Sequence, residues 1–388
     1  MTLPLYVLTF WMETVLSMFR FLLPFYLLQL AASTFEVGLV IGAFGLTVAI
    51  SAIPLGYLSD RIGRMHMVTL GFVFIAISAF VVASRTNIYE LLPAYIFMGF
   101  AMACASPSLD ASIADNIQMS RVGAAMGRLA SSIQMGIALG PAMAGFIAAS
   151  MGIVSTLYVA ALFSLVLFVM LPFASRILRN SGSKEKHVKR NHVLPVNKGT
   201  VVGWGGFFAS FIIWGGIAAF VPIYAAAGGL EISIIGMIFS IQAAVAFVAR
   251  IPLGELVDRL RQERRLIIIG VVIASLTVSL MGYLSGAVMI LVAMIVISLA
   301  RSTINVSSLA VVARSASQDD RGAAMGAGSS SRNMGNAIGP ILMGAILGFE
   351  GYVVAFSLLG LSALAILSAV IVGISLVVGR HHNVISFL

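Results

Sequence analysis

Leu, Ile, Val, Ala, Phe and Gly fill this chain in runs of roughly 20 residues, broken by short polar stretches such as GYLSDRIGR at 56–64. Runs of that length suit helices rising about 1.5 Å per residue through about 30 Å of hydrocarbon. They do not alternate apolar with polar residues over about ten positions, as barrel strands in a membrane do. The pattern predicts twelve helical spans at 4–30, 36–58, 67–84, 91–113, 122–149, 153–174, 200–227, 231–257, 266–284, 287–313, 322–347 and 351–379. The first run has no basic segment ahead of it and contains Glu13 and Arg20. It reads as a retained span rather than a signal peptide.

Composition agrees. The 388 residues are 60% hydrophobic and 10% charged, against about 25% charged in soluble domains, and the mean hydropathy is +1.07. The expected class is an all-α membrane protein. A net charge of +9 raises nucleic acid as a partner, but the placement of the charges excludes it. Most Lys and Arg fall in loops after even-numbered spans or in the C-terminal tail, only Arg85 falls on the opposite side, and Arg20, Arg128, Arg250, Arg301 and Arg332 lie inside spans. By the positive-inside rule the basic side is cytoplasmic, and so are both termini of a multi-pass protein of the cell membrane. Cys104 is the single cysteine and the five His form no Cys/His cluster, so neither an internal disulfide, a metal nor a cofactor is expected. No span holds a nucleophile–base pair and no Walker sequence appears, which argues against an enzyme.

The chain is also a repeat. IPLGYLSDR at 53–61 returns as IPLGELVDR at 251–259, GAAMGRLASSIQMGIALGPAMAG at 123–145 matches GAAMGAGSSSRNMGNAIGPILMG at 322–344, and PFY at 24–26 corresponds to PIY at 222–224. The polar stretch RNSGSKEKHVKRNHVLPVNKG at 179–199 has the composition of a flexible connector. This predicts an N-terminal six-helix bundle at 1–174, a cytoplasmic linker at 175–199 and a C-terminal six-helix bundle at 200–388. Six spans per copy give both bundles the same orientation, related by a pseudo-two-fold axis along the membrane normal with a cavity between them.

Over essentially its full length the chain resembles the major facilitator superfamily. Residues 56–64 are similar to that family's loop motif between helices 2 and 3, matched at Gly56, Leu58, Asp60, Arg61, Gly63 and Arg64. Gly127, Gly136, Gly140, Pro141 and Gly145 resemble the antiporter motif of the drug:proton antiporter branch, with Ala144 where glycine is usual. The same spacing recurs from Gly326 to Gly344. The branch's usual helix 4 arginine is absent, and Tyr95 takes its place. Arg20 or Arg128 then has to substitute if protons are coupled by the family's route. The resemblance implies a monomeric secondary transporter in the lipid bilayer, exchanging protons for amphipathic small molecules or drugs by alternating access. The alternative is symport or exchange of organic anions or metabolites on mid-membrane arginines; a non-transporting receptor is a third class.

Candidate residues follow from position. In the related fold Asp60 faces the N-terminus of helix 11, here near Arg321-Gly322, where unpaired amides favour a carboxylate. It is a candidate latch that bonds only when the cytoplasmic side is shut, with Gly56, Arg61, Gly63 and Arg64 shaping or pinning the turn; simple topology signalling is the plainer reading. The second copy keeps Gly254, Asp258 and Arg259 but has Arg261 and Gln262 where Gly and Arg stood, predicting a weaker latch against the start of helix 5. The helix 5 glycines permit close packing, a bent seam, or both. Glu13 lies about 14 Å into helix 1, with Arg20 two turns on and Ser17 between. The two form an ion pair bridged by Ser17, or Glu13 carries the proton, with Asp110 as second proton-coupling candidate. Phe211 and Leu309 stand where the repeat places Glu13 and Asp110, while Arg301 and Arg332 replace Met102 and Ile133. Arg20, Arg301, Arg332, Asn305, Asn333 and Trp214 are therefore expected to line the substrate cavity, with a charge pair spanning it. Arg128 is read as a partner of Asp110 or of substrate, and Arg250 as reaching the cytoplasmic interface or Glu255. Trp11, Phe19, Phe97, Met98 and Phe208 are expected to add apolar cavity wall.

Overall fold

A computed structural model describes residues 3–115, 122–179, 196–317 and 320–379. Among them stand twelve α-helices: α1 (Leu3–Gln29), α2 (Thr34–Ile62), α3 (Arg64–Ser84), α4 (Ile88–Asp115), α5 (Val122–Met151), α6 (Ile153–Arg179), α7 (Lys198–Ala227), α8 (Ile232–Leu260), α9 (Glu263–Leu280), α10 (Ala287–Ser315), α11 (Arg321–Leu347) and α12 (Tyr352–Gly379). The boundaries follow the apolar runs closely. At the connector the helices reach further than the runs do: α6 continues to Arg179 and α7 begins at Lys198. Residues 180–195 of the expected linker lie outside the described residues. Ten helices are long and apolar enough to cross a membrane, and α6 has a shorter apolar stretch, Ile153–Val169. The run that becomes α11 is poorer in apolar residues because Gly, Ser, Asn and Arg fill it. That composition suits a helix packed against protein on two sides.

Local chemistry sets the helix ends. The Ser33 side chain accepts from Glu36 N–H while the Glu36 carboxylate accepts from Ser33 N–H, a capping box that starts α2. Asn197 and Thr200 do the same for α7, and the Asn197 amide also donates to Ser315 O at 2.7 Å, tying α7 to the end of α10. Between α2 and α3 the chain turns on one residue, Gly63, at φ +103° and ψ 132°, a conformation close to those reserved for glycine. Arg64, the next residue, donates to Ala111 O of α4 at 2.6 Å and so fixes the turn to its own bundle. The second copy makes the corresponding turn on Arg261 at φ +49°, where a side chain is tolerated at modest cost. Gly63→Ala is therefore expected to cost about 1–3 kcal/mol, read as a lower thermal midpoint in detergent. Arg261→Gly, which relieves the backbone, should not lower it.

The two six-helix bundles meet along two symmetry-related seams. At one, Gly145 and Pro141 of α5 lie against Gly236 of α8: a Cβ on Gly145 would fall 2.8 Å from Ile232 O and 3.3 Å from Gly236 Cα. At the other, Gly344 and Pro340 of α11 lie against Gly38 of α2, with Gly344 and Gly38 as close as their counterparts. Polar contacts add to both. Ala142 N–H donates to Ser240 Oγ at 2.9 Å, the Gln134 amide to Ala243 O at 3.2 Å, and Thr34 Oγ1 to Gly344 O at 3.0 Å. Apart from Gln134, which is near the middle of α5, these residues lie toward the end carrying the α1–α2 and α7–α8 turns, the far end. Phe21 of α1 packs on Phe239 of α8 at 5.9 Å, and Phe239 on Trp214 of α7 at 6.3 Å, closing the centre with aromatic rings.

At the other end, which carries the α2–α3 and α8–α9 turns, the seams part. A Cβ on Gly56, Gly127, Gly254, Gly322 or Gly326 would meet nothing within 4 Å. Val248 and Ile251 on the lower part of α8 are more than two-thirds exposed. The molecule is thus closed at the far end and open at the basic end.

Candidate functional site

Within the N-terminal bundle the charged site is built on α1. Gly136 and Gly140 of α5 let that helix press onto α1, so that a Cβ on Gly136 would lie 2.9 Å from the Glu13 Cβ. Ser17 completes the contact, its hydroxyl reaching Thr14 O at 3.0 Å and Gly136 O at 3.1 Å. It therefore does not bridge Glu13 to Arg20, because its single proton is held between α1 and α5. Glu13 and Arg20 meet directly instead, with Nη1 to Oε2 at 3.5 Å. Glu13 is only 3% exposed, and Oε2 has no hydrogen bond. Arg20 has spread its remaining donors over other groups. Nη2 points to Met102 Sδ of α4 at 3.1 Å, and the guanidinium lies 5.2 Å from the centre of the Phe44 ring of α2, which packs on Tyr95.

The C-terminal bundle presents bases on aromatic faces. Arg301 of α10 sits 4.2 Å from the Trp214 ring centre and 5.3 Å from that of Phe211, both on α7. Arg332 of α11 sits 5.2 Å from the Phe207 ring centre. Arg301 stands at the repeat position of Met102 and touches Phe211, which stands at that of Glu13. Both bundles therefore bring a guanidinium to the contact between their first and fourth helices, from opposite partners. Gly335 and Gly339 press α11 onto α7 as Gly136 and Gly140 press α5 onto α1. Asn305 lies one turn beyond Arg301, and its Oδ1 is buried without a partner, as is Arg301 Nε. Asn333, beside Arg332, is partly buried, and its backbone carbonyl abuts Gly45 of α2.

The two sets face one space. Phe21 of α1 meets Phe239 of α8, and the Asn333 carbonyl of α11 backs onto Gly45 of α2, so the helices carrying the two sets adjoin at the centre. Among the described residues no ion pair spans the two sets. Other expectations fail. Arg128 is exposed on α5 and makes no ion pair with Asp110, and Arg250, exposed on α8, makes none with Glu255. Trp11 stacks on Phe163 of α6 at 5.9 Å, and Phe97 packs on Phe74 of α3, so both belong to outer helix contacts. Phe19 and Met98 are fully buried in the bundle core. Packing against peripheral helices, invisible in one-dimensional spacing, claimed these side chains.

At the basic end, which is open here, the Asp258 side chain is exposed. It bonds Arg314 of α10 at 2.7 Å, and Arg314 also pairs with Glu263, so the second loop copy is tied within its own bundle. Arg61 and Arg259 are exposed, and the Asp60 and Arg321 side chains lie outside those described. Phe44 and Phe207, the rings under Arg20 and Arg332, carry no mark in the sequence. The seam glycines Gly38 and Gly236 do, since they recur at the repeat offset of 198.

The model of the Major Facilitator Superfamily matches this chain at residues 5–259 and again at 203–384. An uncharacterised MFS-type transporter of Methanocaldococcus jannaschii is 25% identical over 330 residues, 83% of this chain and 85% of that protein. Multidrug resistance protein 2 of Bacillus subtilis is 26% identical over 336 residues, 82% of this chain and 81% of its own. Among solved structures, a POT family transporter in complex with 5-aminolevulinic acid superposes with a TM-score of 0.79 at 15% identity, covering 96% of each chain. The nucleoside transporter NupG gives 0.77 at 15% identity, covering 96% of this chain and 98% of that one. The repeat, the paired glycine seams and the charged residues between the bundles agree with that match along the whole chain, which belongs to the Major Facilitator Superfamily and is a multi-pass membrane transporter of small molecules.

Proposed function

We propose that this transporter exports amphipathic small molecules in exchange for protons by alternating access. One observation carries the reading: a buried carboxylate, Glu13, sits against the helix that forms the seam between the bundles. Gly136 backs onto Glu13, and Gly145, further along α5, forms the crossing with α8. A change of charge at Glu13 is felt by Arg20 and by the α1–α5 contact, and through α5 by the seam. The long Arg20 contact and the unbonded Oε2 leave an acceptor free to take a proton. Arg20 lies over Phe44, which packs on Tyr95 at the place of the branch's helix 4 arginine, and it fills that role from another helix. Asp110, partly buried on α4, is the second site of proton exchange.

With the basic side cytoplasmic, the open end faces the cytoplasm and the sealed glycine crossings face outward. Substrate enters from within, and Asp60 latches the basic end when the bundles rock. A conformational equilibrium of this kind shifts only by the differential energy a ligand or proton brings. The similarity to Multidrug resistance protein 2 supports the efflux direction. Proteoliposomes holding the purified chain, loaded with a panel of amphipathic dyes and given a pH gradient, test the reading. Dye movement against its gradient, matched by proton flow and abolished by a protonophore, is the expected result. Movement that ignores the gradient and follows only exchange of labelled substrate defeats it.

A further inference from the structure

The transported molecule's charge is written in the C-terminal bundle. Arg301 is 9% exposed, its Nε–H has no acceptor, and among the described residues no carboxylate makes an ion pair with it or with Arg332. Asn305 Oδ1 is buried beside it and likewise unpaired. Cation–π contact with Trp214 offsets part of the desolvation of the guanidinium but satisfies none of its N–H groups. Burying a cation with its Nε–H unused is costly unless a counter-charge arrives. The N-terminal bundle has matched its own base, since Arg20 has Glu13. In the C-terminal bundle Phe211 and Leu309 occupy the positions of Glu13 and Asp110, so the repeat supplies no acid there.

We propose that Arg301, with Asn305 beside it and Arg332 nearby, is the seat of an anionic group on the substrate, which is therefore an amphipathic organic carboxylate or a similar monoanion. The guanidinium fork matches a carboxylate geometrically, and the Asn305 carbonyl accepts a hydroxyl or amide N–H next to it. Phe211 and Trp214 carry the guanidinium on their faces and flank it with their remaining surface, so an apolar, ideally flat, portion of the bound molecule packs beside them, which a bare inorganic anion cannot do. This rests on the export reading only for its direction, because seating a substrate needs no proton.

Equilibrium binding to the full chain in lipid nanodiscs, with no gradient present, decides it. Three probes share one shape: 2-naphthoate, 2-naphthylmethanol and 2-naphthylmethylammonium. The expected result is that 2-naphthoate binds at least about tenfold more tightly than either of the others. Arg301→Gln should bring the three within about twofold, and Arg301→Lys should keep a reduced preference. Thermal unfolding of each variant shows whether it is folded, and the wild-type ranking decides without any variant. No binding of 2-naphthoate at millimolar concentration, equal or tighter binding of the ammonium, its displacement by sulfate at comparable concentration, or full preference in Arg301→Gln overturns the proposal. Those outcomes leave the liposome result untouched, and loss of proton coupling in liposomes leaves the binding preference standing.

Discussion

Glu13→Gln is expected to abolish gradient-driven transport while leaving a folded protein that still exchanges substrate down its gradient. Glutamine keeps the volume of glutamate, so the contacts of α1 with Gly136 survive, and the loss falls on the exchangeable proton. The stability cost should be small. Arg20 loses its partner, but its side chain is 32% exposed and already rests on Met102 and Phe44, so it can turn to water in the open cavity. A buried cation deprived of its partner with no such escape costs about 3–5 kcal/mol; here about 1 kcal/mol is expected. The coupled rate should fall at least about 100-fold, equivalent to about 2.7 kcal/mol. A pH-sensitive dye trapped in proteoliposomes makes the measurement: wild type moves protons when substrate is added, and Glu13→Gln moves substrate alone. Full proton movement in the variant would remove Glu13 as the carrier and leave Asp110.

Much of this could be read before any coordinates, for physical reasons that also mark where reading stops. A helix in lipid must satisfy its own backbone, so each apolar run of about 20 residues has one solution and its ends are set by caps and turns. That is why α2 begins at Ser33-Thr34 and α3 follows directly after Gly63. Repetition supplied the rest of the architecture: residues such as Gly38 and Gly236 take the same place in each bundle because each copy folds alike. Chemistry at the site was legible only where a charge is costly. Glu13, Asp110, Arg301 and Arg332 stand out because a bilayer penalises them. Aromatic and sulfur partners do not stand out, since Phe, Trp and Met serve equally well against lipid, against a neighbouring helix or under a guanidinium. Trp11 and Trp214 are alike in the sequence, yet one stacks on α6 and the other holds Arg301. Hydroxyls are ambiguous in the same way. Ser17 sits between Glu13 and Arg20 along the helix, but the glycines of α5 open a nearer acceptor.

Gly236→Leu is expected to stop the cycle by a different route, holding the far end apart. The seam at Gly236 is backbone on backbone: a Cβ there would collide with Pro141 O and approach Gly145 Cα at 3.2 Å, and neither is the end of a side chain that can swing away. Relief needs α5 and α8 to separate, which breaks the Ala142–Ser240 and Gln134–Ala243 bonds as well. Overpacking of this kind costs about 1–3 kcal/mol, occasionally more. The cost is borne only in the conformation closed at that end, so it acts on the balance of states rather than on folding. A shift of about 3 kcal/mol changes a two-state ratio about 150-fold. Transport should fall by a comparable factor, with the thermal midpoint little changed. Spin labels on Met151 and Glu231, both exposed beside the seam, report the separation once Cys104 is replaced by serine. The variant should show a longer distance population that wild type lacks. Gly38→Leu should act alike at the second crossing, because Gly38 meets Pro340 and Gly344 as Gly236 meets Pro141 and Gly145. A control at Gly351, exposed just ahead of α12, where a Cβ meets nothing, should leave the distances and the transport rate unchanged. Unchanged distances in Gly236→Leu with transport within about twofold of wild type would mean that the glycine crossings are mere packing and that the bundles rock about some other contact.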